Sequence, residues 1–148
     1  MIDKSSVKTE EGKVFFDTNI LIYSVDESDL QKKETAAKLI NDAVAAGNGM
    51  ISTQCLQEFF NVAQKKLGLT KKAAKEYVKF FANNLPVATI SVPLILSAID
   101  ISIKNKLSFW DSLIVSAANN AGCATVYSED LNDQQIIGGS KIQNPFAA

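Results

Sequence analysis

Short apolar runs of β character alternate along this chain with longer segments whose apolar residues recur at helical spacing. Val14, Phe15 and Phe16 form the first run, Met50 and Ile51 the second, 87–92 the third and 124–127 the fourth, with 141–143 a candidate fifth. Strands separated by helices predict an α/β fold, a parallel sheet of about four or five strands sandwiched by helices. A parallel connection needs a crossover long enough to hold a helix. With 148 residues, 47% of them hydrophobic, the chain supports one core, and a single domain is expected over residues 14–148. Residues 1–13, which include Ser5, Ser6, Glu10 and Glu11, have too little apolar content for a core element and read as a flexible tail.

The helical segments carry their own boundaries. Ile20, Leu21 and Tyr23 start a helix directly after Asp17-Thr18-Asn19. A second runs over 29–46 on a stripe of Ala36, Leu39, Ile40, Ala43 and Val44 and stops at Gly47. Ser52 or Thr53 caps a third, with Leu56, Phe59, Phe60, Ala63 and Leu67 inward and Gly68 at its end. Thr70 opens a fourth, in which Ala73, Ala74, Tyr77, Val78 and Phe81 oppose Lys71, Lys75 and Lys79. Pro93 begins another that reaches about Lys104. The last spans 108–121, with Trp110, Leu113, Ile114, Ala117, Ala118 and Ala121 on one face and Gly122 beyond. By this patterning Trp110 is core, as are Phe59, Phe60, Phe80 and Phe81.

All 15 basic residues are Lys, and His is absent as well, so chemistry by a histidine pair or an arginine clamp is excluded. Oxygen ligands around a hard divalent cation are the most accessible catalytic apparatus left. The net charge of -1 means that a nucleic-acid partner would be met by local lysines, and Lys65, Lys66, Lys71, Lys72, Lys75 and Lys79 cluster around one helix–helix turn. Such a cluster is also an ordinary solvated face. Cys55 and Cys123 lie in apolar surroundings without CxxC spacing, as buried thiols of a reducing compartment do. No apolar stretch is long enough for a membrane span, and cytoplasmic location is expected.

Against this background four acids stand out. Asp17 ends the first strand, and Asp130 follows the fourth in Tyr-Ser-Glu-Asp-Leu. In parallel sheets ligands gather outside the carboxyl ends of the strands, so both belong at that edge. Glu58 borders Cys55, Phe59 and Val62 at the margin of an apolar stripe, and Asp111 sits in a first helical turn whose partial positive charge favours an anion. Each has a local alternative: a helix cap for Asp17, a surface helix position for Glu58, a Ser108-x-x-Asp111 capping box, a turn aspartate for Asp130. Taken together, acids from four distant segments beside apolar runs are more economically explained by one shared cation site.

The segments Val-Phe-Phe-Asp-Thr-Asn, Gln-Glu-Phe-Phe-Asn-Val, Phe-Trp-Asp-Ser-Leu-Ile and Tyr-Ser-Glu-Asp-Leu, in that order, together with the ending Ile-Gln-Asn-Pro-Phe, carry a family resemblance over 14–146. The chain resembles PIN-domain ribonucleases, specifically VapC-type toxins of toxin–antitoxin modules. That resemblance implies a PIN-like parallel sheet between helices, endoribonuclease activity dependent on Mg²⁺ or Mn²⁺, RNA as substrate, a cognate antitoxin protein and a homodimer. Carried over motif by motif, it implies that Asp17, Glu58, Asp111 and Asp130 are catalytic and metal-binding, with Thr18, Asn19 and Ser128 as polar support and Asp133 as a further supporting acid. Gln134 follows Asp133 where similar sequences often have Gly, which marks a departure in that loop.

Three other readings fit parts of the pattern. The same metal chemistry cleaves DNA, and a DNA-directed nuclease is distinguished by its substrate. A phosphoacceptor domain also places acids at the carboxyl edge of a parallel sheet, but needs paired acids where Asp17 is followed by Thr18 and Asn19. A catalytically silent partner-binding module would retain the acids as structural metal ligands.

Overall fold

The computed structural model describes residues 12–147. Elements follow in the order β1 (Lys13–Phe16), α1 (Thr18–Tyr23), α2 (Leu30–Ala46), β2 (Gly49–Ser52), α3 (Thr53–Lys66), α4 (Lys71–Asn84), β3 (Val87–Ala88), α5 (Val92–Asn105), α6 (Phe109–Asn120), β4 (Cys123–Tyr127), β5 (Ile136–Ile137) and β6 (Ser140–Gln143). They build one sheet in the order β3-β2-β1-β4-β6-β5, parallel throughout except for the β5–β6 pair. Of the expected tail, residues 1–11 lie outside the described residues, and Lys13 already belongs to β1.

Helices cover the sheet, which is why its central strands do not alternate polar with apolar. Phe15 and Phe16 are consecutive in β1 and both fully buried, one against each layer. On the helical side, α1 lies against α2 and α3, and α3 against α4, while α5 rests on α6, which in turn contacts β4 and β6. Phe59, Phe81, Ile20, Leu21, Ile51, Ile114, Val126 and Ile142 complete the core.

The chain leaves β1 toward β2 and β3 on one side and returns through α5 and α6 to β4 on the other. The order therefore reverses between β1 and β4, at whose carboxyl ends loops diverge and a crevice opens. Asp17 and Ser128 are the first residues beyond those two ends.

Several expectations need correction. The third strand covers only 87–88 and not 87–92, because Ser91 already stands at the N-cap position of α5 and Pro93 fixes helical φ in its first turn. A sixth strand, β5, folds back on β6 through Gly138-Gly139, with Ile137 opposite Ser140, so the sheet is not wholly parallel. Gly138 has φ +60, and a Cβ there would come within 2.0 Å of Asn119 Oδ1, which fixes glycine at this turn. Phe80 is 49% exposed and Trp110 is 61% exposed, so neither is core. Helical spacing groups Trp110 with Leu113 and Ile114, but the first turn of α6 borders the crevice, which leaves the indole open to solvent.

Candidate active site

At the crevice Asp17 caps α1, with its Oδ1 accepting from the Thr18 amide at 2.7 Å, while its own amide extends the β1–β4 ladder to the Tyr127 carbonyl at 3.0 Å. Ser128, wholly buried just past β4, donates from Oγ to Asp17 Oδ2 at 2.7 Å. The same hydroxyl accepts from the amides of Asp130 at 3.2 Å and Leu131 at 3.4 Å, so it pins the loop that carries Asp130. Asn19 Nδ2 donates to Asp130 Oδ2 at 3.0 Å, and Thr18 Oγ1 donates to Glu58 Oε1 at 2.7 Å across 40 residues of sequence. Asp111 stands in the first turn of α6, its amide capped by Ser108 Oγ at 3.1 Å.

Asp17, Glu58, Asp111 and Asp130 thus line one cleft, together with Thr18 and Asn19. Ser128 supports it from beneath. Asp133 is not brought in: its Oδ1 accepts from the Asn144 amide at 2.8 Å and from Gln134 Nε2 at 3.2 Å, fastening a turn outside the cleft. Glu129 also points elsewhere, bonded to Tyr23 Oη at 2.6 Å and paired with Lys32. Burial pushes that carboxyl up, but the Lys32 and Tyr23 hydrogen bonds outweigh it and hold Glu129 below its ordinary range.

Patterning missed Gln54 and Tyr23 among the remaining lining residues and read Trp110 as core, whereas Lys66 belongs to the lysine cluster considered for a nucleic-acid partner. One signal for them was present. Gln54, Glu58, Val62 and Lys66 recur every four residues along α3, so a cleft that receives Glu58 receives all four.

Asp17 carries the electrostatic cost of this arrangement. Burial raises its carboxyl to about 7 despite the Ser128 and Thr18 hydrogen bonds, and the nearby charges of Asp130 and Asp111 push it the same way. Among the described residues, no three Asp, Glu, Cys or His side chains converge tightly enough to enclose an ion as they stand. The acids that line the cleft nevertheless offer oxygen ligands around a buried, disfavoured carboxylate, with no Cys or His among the described residues of the lining, a set that fits a hard divalent cation and not a softer metal.

The fold has close counterparts among solved structures. A chain of the DNA-bound VapBC complex from Salmonella typhimurium superposes with a TM-score of 0.68 at 20% identity, covering 90% of this chain and 98% of its own. A chain of a toxin–antitoxin complex from Klebsiella pneumoniae gives 0.67 at 17% identity, covering 92% and 100%. The sarcin–ricin-loop-cleaving toxin VapC20 of Mycobacterium tuberculosis gives 0.64 at 18% identity, covering 80% and 90%. At these identities the likeness concerns the fold. No sequence match to a curated protein is found. The family profile described as PIN domain matches residues 14–136, most of the chain and every segment that contributes an acid to the cleft. The chain belongs to the PIN domain family.

Proposed function

We propose that the protein is a metal-dependent endoribonuclease, the toxin of a toxin–antitoxin pair, acting in the cytoplasm on RNA. The observation that carries this reading is the gathering of Asp17, Glu58, Asp111 and Asp130, from four distant segments, at the switch point of the sheet around a buried carboxylate raised to about 7. A structural role would leave such repulsion without benefit, whereas a bound cation removes it.

Asp17, Glu58, Asp111 and Asp130 would hold Mg²⁺ or Mn²⁺. A divalent cation supplies charge stabilisation and water activation for phosphodiester hydrolysis. The chain's own part is positioning. Ser128 and the Thr18 amide hold Asp17, the Thr18 hydroxyl holds Glu58, and Asn19 holds Asp130, so three carboxylates are fixed by neutral donors that leave their charge intact. Asp111 is presented from the first turn of α6, a capped helix.

Family membership and the fold shared with chains of toxin–antitoxin complexes support a cognate antitoxin as partner. A homodimer is supported by α5, where Val92, Leu96, Ile99 and Ile103 leave an exposed apolar stripe. No helix among the described residues is long and apolar enough to cross a membrane. Cys55 and Cys123 are buried free thiols, in keeping with a reducing compartment.

The test is cleavage of total cellular RNA by purified wild type and Asp111→Asn with Mg²⁺, with Mn²⁺ and with chelator, the ends read by sequencing. Discrete cuts that require both metal and Asp111 are expected. Cuts that persist in Asp111→Asn would remove that residue from the site, and cleavage of DNA alone would reassign the substrate.

A further inference from the structure

Trp110 is the one tryptophan of the chain, 61% exposed, and it borders the acidic cleft beside Asp111. An indole left in water forgoes burial that most tryptophans obtain. Its position is not slack. Gln54, only 3% exposed, donates from Nε2 to the Trp110 carbonyl at 3.1 Å, Ser108 caps the turn, and the Phe109 ring meets the indole in a T-shaped contact at 5.0 Å. A buried amide and a helix cap therefore hold the backbone that presents an exposed aromatic to the cleft.

In the same cleft, α3 brings in Lys66 two turns after Glu58, about 12 Å farther along the helix axis. Lys66 Nζ lies 5.3 Å from the centre of the Tyr23 ring, a cation–π contact that steadies it at the rim. Among the described residues it is the one basic side chain lining the cleft, and Lys32, outside that lining, is paired with Glu129. The cleft thus carries an ammonium two helical turns from Glu58 and an exposed aromatic next to Asp111 in the chain.

We propose that Trp110 and Lys66 are substrate-binding residues for single-stranded RNA, the indole stacking on a base beside the cut phosphate and the ammonium taking a neighbouring phosphate. This rests on the ribonuclease reading and deepens it to a substrate form. A base inside a duplex is already stacked on both faces, so an exposed indole selects unpaired bases. A lysine adds backbone affinity that weakens with salt. Without arginine anywhere in the chain, this lysine and this indole take the roles that guanidinium groups otherwise share.

Because Trp110 is the sole tryptophan, its emission reports the contact directly. Short single-stranded RNA is titrated into the Asp111→Asn protein with Mg²⁺, against the same sequence as a duplex. Saturable quenching by the single strand and little by the duplex is expected. Measured by anisotropy of labelled RNA, Trp110→Ala weakens binding about tenfold, whereas Trp110→Phe keeps most of the affinity. Lys66→Ala weakens it severalfold and flattens the salt dependence by about 0.7 in log–log slope. In cleavage assays with Asp111 present, both alanine variants raise KM more than they lower kcat. Circular dichroism confirms their folds, which both exposed positions should spare.

Unquenched emission at saturating RNA, or metal-dependent cleavage by wild type with KM unaltered in both variants, overturns the proposal and leaves the ribonuclease reading standing. Absence of cleavage by wild type overturns that reading, while the fluorescence titration still decides the binding role. Unchanged RNA binding in Trp110→Ala with lost antitoxin binding would assign the indole to a protein partner and also overturn it.

Discussion

Replacing Asp17 with Asn should make the metal-free protein more stable at neutral and alkaline pH, although it removes a residue at the centre of the site. Folding raises the Asp17 carboxyl from 3.8 to about 7. Below 3.8 the group is protonated in both states and imposes no pH-dependent penalty. As pH rises toward 7 the unfolded chain ionises first, so stability falls across this window and levels off above it. A shift of about three pH units corresponds to about 4 kcal/mol at pH 8. Asn escapes that penalty but cannot accept from both Thr18 and Ser128, and Ser128 Oγ already accepts two amides, so one hydrogen bond worth about 1–2 kcal/mol is lost. The remaining gain is about 2 kcal/mol, or on the order of 5–10 °C in Tm for a chain of this size. Urea unfolding followed by far-UV circular dichroism, in chelator from pH 5 to 8, measures it. The gap between variant and wild type should widen with pH and reach its full value above pH 7. Added Mn²⁺ should then raise the midpoint of the wild type and not of Asp17→Asn. A variant less stable than wild type at pH 8, or a gap that does not change with pH, would refute the assignment of a strained carboxylate.

Ser128→Ala should destabilise the protein by about 2 kcal/mol at pH 8, and less in an Asp17→Asn background, because the hydroxyl holds a charged oxygen only when Asp17 is present; a double-mutant cycle in urea measures the coupling. Gln134→Gly should stabilise by about 0.5 kcal/mol in the same assay, since Gln134 has φ +71, where a side chain is strained and glycine is not. Tyr23 titrates above its ordinary range mainly because its hydroxyl donates to Glu129, and Glu129→Gln should move the absorbance titration of Tyr23 to lower pH. Leu96→Glu with Ile103→Glu, both on the exposed stripe of α5, should convert the proposed homodimer to monomers in light scattering with no change in circular dichroism.

The helices were legible because their signals are local. Gly47, with φ +71, receives the end of α2 as patterning predicts, and Thr70 caps α4 through the Ala73 amide at 3.1 Å. Strand lengths were less so, since Ala88 and Ile90 look alike as residues and only pairing to Ser52 separates strand from connection. Of the eight residues singled out for the site, the cleft gathers six along its lining and Ser128 beneath it, and leaves Asp133 in a neighbouring turn. Tyr-Ser-Glu-Asp-Leu and the Asp133 that follows place three acids within five positions, and what divides them is tertiary. Asn19 claims Asp130, Lys32 claims Glu129 and the Asn144 amide claims Asp133. Trp110 was misplaced for the same reason, because helical periodicity reports which face a residue shares and not whether that face is covered.

The site is organised around charge that the protein declines to neutralise. Thr18, Asn19 and Ser128 orient carboxylates through neutral donors, Lys32 nearby is consumed by Glu129, and Lys66, the lysine of the lining, stands two turns of α3 beyond Glu58. Salt bridges within the cleft would have removed the repulsion felt by Asp17, at the expense of filling the very lone pairs that a ligand must use. A buried acid raised to about 7, held by hydroxyl and amide donors and flanked by Asp111 and Asp130, instead keeps its demand for positive charge open. The switch point makes this tolerable: the core packs on both faces of β1 and β4, where Phe15, Phe16 and Val126 are fully buried, while Asp17 lies beyond the strand end, so the strain is confined to the carboxyl edge of the sheet.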